Sequence, residues 1–196
     1  MRLIGITGGV GAGKSEIIKY LGKHYKCRVY MADEVAHEVR KPGTDCYKKL
    51  VDLLGEEAVN DKKVMAAKVF ADSSLLEKVN SIIHPAVKEY FLNAIKEAEK
   101  SGEYELFFIE AALLIEGGYK AILDEFWYIY ADRNTRINRL MDARGYTRQK
   151  AESIMDSQLS DEEFRNNSDF IIDNSSSLEN AYDQIRRRLE DYTWQE

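Results

Sequence analysis

The stretch that most constrains this chain is Gly8 to Ser15, which reads Gly-Gly-Val-Gly-Ala-Gly-Lys-Ser. It fits the pattern G-x-x-x-x-G-K-[ST], with Gly8, Gly13, Lys14 and Ser15 in register. Backbone N–H groups can curl round a polyphosphate only where side chains leave room, and the glycines meet that condition. A helix starting at the end of the loop adds its positive N-terminus. Lys14 can then reach the outer phosphates, and the Ser15 hydroxyl can hold Mg²⁺. The flanks agree with this reading. Arg2 to Thr7 reads as a short buried strand, and Ile17, Ile18, Leu21 and Tyr25 recur behind the loop at helical spacing. An ordinary glycine-rich turn would require neither. Gly9, Val10, Gly11, Ala12, Gly13, Lys14, Ser15 and Glu16 are therefore the candidate nucleotide-phosphate set.

The remaining bounds come from length and charge. With 196 residues, 44% of them hydrophobic and 32% charged, the chain has enough apolar material for one compact core with insertions. A net charge of −6 argues against sequence-independent nucleic-acid binding, which depends on neutralising phosphates. An anionic substrate must therefore meet a local cluster of Lys and Arg. The two cysteines, Cys27 and Cys46, form no framework or metal spacing, and they read as reduced residues of a cytoplasmic protein. No signal peptide precedes the first strand, and no apolar run is long enough to cross a membrane. Nothing in the sequence points to an obligate protein partner.

Five short strand candidates alternate with helical stretches, which predicts an α/β fold with a parallel sheet. The strands begin near residues 2, 27, 105, 125 and 168. The second ends at Asp33, where a carboxylate serves equally well as a ligand at the sheet's C-terminal edge or as a cap for the next helix. Residues 43–104 are mostly helical, with a break expected at His84-Pro85, because proline disfavours helical geometry in the residue before it. This block is too large for a simple crossover and reads as an inserted, acceptor-binding region. His37 and His84, taken alone, are ordinary structural residues. Glu110 follows a buried strand, where phosphate-loop enzymes place a second Mg²⁺ anchor. The aromatics of residues 125–131 read as core filling. Arg136, Arg139 and Arg144 fall within two helical turns; beside a phosphate loop they read as cations over the transferring group, on a lid returning through a helix from Gln149 to about Gln158. Ser176-x-x-Glu179 predicts a capping box for the last helix, on which Arg186, Arg187 and Arg188 read as a solvated face.

With these elements in place, the chain resembles the dephospho-coenzyme A kinase family nearly end to end. The opening strand and loop from Ile4 to Ser15, the Ala32 to His37 segment, Val69-Phe70, Ile82 to Pro85, Leu113-Leu114 with Glu116, Arg139-Leu140, Arg144, Gln158, and Asp169, Ile172 and Asn174 are similar to that family's signatures. The resemblance implies a three-layer P-loop NTPase fold with a five-stranded parallel sheet. It implies a core of about 1–32, 105–133 and 159–196, a helical acceptor-binding region of about 33–104, and a helical lid of about 134–158. It implies ATP and dephospho-coenzyme A as substrates, Mg²⁺, and phosphorylation of the ribose 3′-hydroxyl. Carried over by position, Asp33 is the base, Lys14, Arg139 and Arg144 are the catalytic cations, Ser15 and Glu110 hold metal, and Asp33, His37, Lys62, His84, Leu113 and Glu116 meet the acceptor. Departures from the family pattern are Met31, Lys62 in place of Arg, the run Glu110-Ala111-Ala112, and Ile154 where the lid commonly carries Arg.

Two other classes are compatible with a phosphate loop. One is a kinase of another small acceptor, such as a nucleoside monophosphate or a small alcohol. The other is a GTPase-type switch, which needs an Asn-Lys-x-Asp element that this sequence lacks.

Overall fold

The computed structural model describes residues 1–111, 114–115 and 117–192; Leu113 and Glu116 lie outside the described residues. In chain order the elements are β1 (Arg2–Thr7), α1 (Lys14–His24), β2 (Cys27–Met31), α2 (Ala32–Glu38), α3 (Asp45–Leu54), α4 (Glu56–Asn60) and α5 (Lys62–Ala71). They continue with α6 (Ser73–Ser101), β3 (Leu106–Glu110), β4 (Glu125–Tyr130), α7 (Arg133–Arg144), α8 (Arg148–Asp156), α9 (Asp161–Asn166), β5 (Phe170–Asp173) and α10 (Leu178–Glu190). The chain divides into two compact units. One comprises Met1–Val29 and Glu103–Glu196, and the other comprises Tyr30–Gly102.

The five strands form one sheet in the order β2-β3-β1-β4-β5. β1 pairs in parallel with both β3 and β4, and β4 pairs in parallel with β5. The central strands are covered on both faces, so they read as continuous apolar runs and not as alternating ones. Ile4, Ile6, Leu106, Phe108, Trp127 and Ile129 face one way and pack with Ile17 and Leu21 of α1 and Ala181, Ile185 and Leu189 of α10. Phe107, Ile109, Phe126 and Tyr128, which alternate with them, are buried as well, and the Tyr128 ring stacks on Phe164 of α9 with centroids 4.9 Å apart. The aromatics of β4 are thus core, as the sequence predicts. Residues 134–158 fall within the first unit as most of α7 and all of α8, which pack through Ile137, Leu140, Ala151 and Met155 against Val10 of the glycine loop.

The second unit is helical. Its buried positions include Val35, Cys46, Leu50, Leu54, Met65, Val79, Val87, Phe91 and Ile95. Thr44, Asp61 and Asp72 cap α3, α5 and α6 by accepting hydrogen bonds from the first turn of each.

Three local expectations change. The helix does not break at His84-Pro85: α6 runs from Ser73 to Ser101 with Pro85 inside it. Proline removes one ladder bond at a cost of about 3 kcal/mol. Val79 before it and Val87, Phe91 and Ile95 after it are buried on the same helix, each contributing roughly 1.5–3 kcal/mol, so packing outweighs the lost bond. The last helix is capped by Ser177, which accepts from Asn180 N, and not by Ser176. A capping box lies at α9 instead, between Ser160 and Glu163. Finally, Arg186 to Arg188 are not one solvated face. Arg188 pairs with the buried Glu125 carboxylate at 3.0 Å, Arg186 donates to Tyr20 Oη and Glu179, and of the three only Arg187 is exposed.

Candidate active site

The glycine loop connects β1 to α1 inside the first unit. Gly13, the N-cap of α1, has φ 92°, in the left-handed region, and a Cβ built on it would lie 2.3 Å from Asn174 Nδ2. Backbone conformation and a neighbouring side chain thus both require glycine there. The loop's carbonyls are held one after another. Gly8 O accepts from Lys14 Nζ at 2.8 Å, Gly9 O from Ala12 N at 3.2 Å, and Val10 O from Arg136 Nε at 2.9 Å. Ala12 O accepts from Asn174 Nδ2 at 2.8 Å and from Arg139 Nη1 at 3.3 Å. In a trans peptide the C=O and the following N–H point in opposite directions. Pinning Val10 O and Ala12 O therefore turns the N–H groups of Gly11 and Gly13 away from those partners, and neither N–H has a protein acceptor among the described residues. Together with the Ser15 N–H in the first turn of α1, which has no protein acceptor among the described residues, they form a donor set suited to a polyphosphate.

Lys14 and Glu110 come together in the structure. Lys14 Nζ lies 3.7 Å from Glu110 Oε1, with both side chains largely buried and Glu110 the last residue of β3. Ser15 is exposed in the first turn of α1. The polar groups of Glu16 are engaged within its own helix: its N–H donates to Gly13 O at 3.1 Å, and its carboxylate pairs with Lys19 at 2.7 Å. Among the described residues there is no cluster of three or more His, Cys, Asp or Glu side chains able to hold a metal.

The three arginines of α7 separate. Arg139 is half-buried and lies against the second half of the loop, donating also to Asn174 O at 2.8 Å. Arg144 ends α7, is exposed, and makes no side-chain hydrogen bond or ion pair among the described residues. Arg136, expected over the phosphates, is 6% exposed and bonded to the loop's own backbone. Burial pulls its guanidinium below the ordinary arginine range, while the negative charges that Tyr128 and Asp161 can carry act the other way. Tyr128 Oη donates to Asp161 at 2.7 Å; burial first, then this bond, pushes the phenol far up. At the start of α7, Asp132 accepts from both Thr135 N and Thr135 Oγ1, bonds that hold its carboxyl below the usual range. The roles of Asn174 and Arg136 in shaping the loop were not visible in the sequence. A carboxamide after the last parallel strand is a weak signal for the first, and nothing local marks the second.

The second unit holds the other candidates. Asp33 is the second residue of α2, whose N-cap is Met31 with no side-chain capping bond. The capping explanation for Asp33 therefore falls. Its carboxylate is exposed, as are His37 in the last turn of α2, Lys62 at the start of α5 and His84 within α6. None of the four makes a side-chain hydrogen bond or ion pair among the described residues. Phe70, also on α5, is 91% exposed.

A family model for dephospho-CoA kinase matches residues 2–180. A dephospho-CoA kinase of Geobacter sulfurreducens is 33% identical over 196 residues, covering 97% of this chain and 96% of its own length. One from Listeria monocytogenes is 33% identical over 194 residues, with 96% of each chain covered. A crystal structure of a Thermus thermophilus protein superposes with a TM-score of 0.81 at 27% identity over 98% of both chains. A dephospho-CoA kinase from Campylobacter jejuni shares the fold, with a TM-score of 0.69 at 22% identity over 96% of this chain and 95% of its own. A family match of this extent, on a parallel sheet whose first strand runs into a phosphate loop, decides the question: the chain belongs to the dephospho-CoA kinase family.

Proposed function

We propose that the chain transfers the γ-phosphoryl group of ATP to the ribose 3′-hydroxyl of dephospho-coenzyme A, yielding coenzyme A and ADP, the last step of coenzyme A synthesis. The observation that carries this is the pinned glycine loop with Lys14 and Glu110 beside it, in a chain that matches the family over nearly its full length. The loop N–H groups and Lys14 bind the β- and γ-phosphates, and Arg139 adds positive charge where the leaving oxygen becomes more negative. Arg144, being exposed and unpaired among the described residues, is free to swing towards phosphate as part of a lid spanning 134–158.

Ser15 and Glu110 provide one hydroxyl and one carboxylate, a donor set that fits Mg²⁺ brought in with the nucleotide and not a resident ion in an all-protein cage. When bound, Mg²⁺ would neutralise developing charge on the phosphates. Asp33 accepts the proton of the 3′-hydroxyl as the new O–P bond forms and the bond to the ADP oxygen breaks. Its exposure, with no side-chain hydrogen bond or ion pair among the described residues, supports that role. His37, Lys62, His84, Leu113 and Glu116 contact the acceptor. No helix among the described residues is long and apolar enough to cross a membrane, which is in keeping with a cytoplasmic enzyme acting on small molecules.

The test is to incubate the protein with ATP, Mg²⁺ and dephospho-coenzyme A and to locate the new phosphate by ³¹P and ¹H NMR. Phosphate coupled to the ribose 3′ proton is the expected result. Phosphorylation of nucleoside monophosphates or small alcohols in a parallel acceptor panel, with dephospho-coenzyme A left untouched, would overturn it.

A further inference from the structure

The glycine loop is braced from two sides, and one brace is built round a buried cation. Val10 is held at both ends. Its N–H donates to Gln158 Oε1 at 2.9 Å, and its carbonyl accepts from Arg136 Nε at 2.9 Å. Arg136 Nη2 donates to the same Gln158 oxygen at 3.0 Å, closing a ring of three hydrogen bonds. The contact is close. A Cβ on Gly9 would sit 2.1 Å from Arg136 Nη2, and one on Gly11 would sit 2.9 Å from the Arg136 carbonyl oxygen. On its far side, Arg136 Nη1 lies 3.8 Å from Asp161 Oδ1, the oxygen that accepts from Tyr128 Oη.

Desolvating a guanidinium is costly, and an apolar side chain would fill the same volume without that cost. What a hydrocarbon cannot do is present a planar fork that bonds a carbonyl with Nε and a second acceptor with Nη2. Here the fork is directed at the Val10 peptide and at the side chain that holds the other end of Val10. A peptide plane held in this way cannot rotate, so its partner N–H, on Gly11, keeps one direction.

We infer that Arg136 is a positioning residue for phosphoryl transfer: with Gln158 it locks the Val10–Gly11 peptide so that the Gly11 N–H is aimed, before ATP arrives, at the place its phosphates will take. The inference rests on the reading of this loop as the ATP cradle. It separates two arginines that the helical periodicity of α7 treats alike. Arg139 is directed at the second half of the loop and remains half-exposed, whereas Arg136 is buried and acts through the backbone. Preorganised donors need no rearrangement during the reaction, which is where such a lock contributes.

The test compares Arg136→Met with wild type. Methionine keeps the length and fills the space but donates no hydrogen bond. ATP affinity, measured by titration calorimetry without acceptor, should fall about ten- to a hundredfold, the effect of losing a charged hydrogen bond. The KM for ATP should rise in step, while the KM for dephospho-coenzyme A stays within about threefold, because loss of one peptide lock does not reach the acceptor. Arg136→Lys returns the charge and one donor but not the fork, and should recover only part of the loss. If Arg136→Met does not fold, Gln158→Ala removes the shared acceptor from a half-buried position and should weaken ATP in the same direction. Unchanged ATP affinity in either folded variant overturns the inference, as does an equal rise in both KM values, which would mark general loosening. If the wild-type protein binds ATP but never phosphorylates dephospho-coenzyme A, the functional reading fails while the calorimetry still decides the role of Arg136.

Discussion

The two units of this protein treat their polar side chains in opposite ways. In the sheet unit, the groups around the glycine loop are tied down. Lys14, Arg136, Arg139, Gln158 and Asn174 each bond the loop backbone, and all are at least half-buried. In the helical unit, Asp33, His37, Lys62 and His84 are exposed and make no side-chain hydrogen bond or ion pair among the described residues. Under the proposed function, the difference would follow from the ligands each serves. A polyphosphate is a fixed, highly charged shape, and donors locked in place bind it without paying ordering entropy during the reaction. Under the proposed function, an acceptor with a long, varied surface would be met by side chains that adopt their geometry on contact, in keeping with four side chains that have no hydrogen-bond or ion-pair partner among the described residues. The expectation that follows is that stability and function are coupled in the first unit and largely separable in the second.

That separation can be broken or sharpened by substitution. The largest effect is expected at Lys14. Lys14→Ala removes both the cation at the outer phosphates and the tether on Gly8 O, and turnover should fall on the order of a thousandfold. Steady-state rates with coupled ADP detection check this; near wild-type turnover would remove the loop from the chemistry.

Asp33→Asn comes next. Because Met31 and not Asp33 occupies the N-cap of α2, the substitution leaves the capping of that helix unchanged. The melting temperature and ATP affinity should stay close to wild type while kcat drops at least about a hundredfold, the usual scale of general-base help. Lower stability with an intact kcat would return Asp33 to a structural role.

The smallest effects belong to Lys62→Ala and His84→Ala. Both side chains are exposed, so stability should change by no more than about 0.5 kcal/mol. Loss of one polar contact should raise the KM for dephospho-coenzyme A by about three- to tenfold and leave the KM for ATP alone. A shift in the KM for ATP from either variant would break the comparison between the units.

Much of this architecture is legible without coordinates. The five strands, the loop and the helical block between β2 and β3 announce themselves because the loop motif, apolar runs and helical spacing are local features, readable within a dozen residues. The parallel, doubly covered sheet follows from strands such as Leu106–Glu110 that are apolar on both faces. The contact between Lys14, which opens α1, and Glu110, which ends β3, was not legible, because strand order is not a local property.

Other outcomes depend on elements far apart in sequence. Pro85 reads as a break, yet α6 continues through it because its buried face outweighs one missing bond. Arg188 reads as a surface residue until α10 is placed beside β4 and its guanidinium meets Glu125. Arg136 and Arg139 are a single turn apart and indistinguishable by periodicity, but packing of α7 and α8 against Val10 buries one and leaves the other half-open. Sequence by itself determined which elements form and that a phosphate loop leads the chain, because those depend on neighbours along the backbone. Only the tertiary structure decided which side chains hold the loop in shape, because Arg136, Gln158 and Asn174 lie 126, 148 and 162 residues from their loop partners, and a hydrogen bond across that separation is set by how the elements pack.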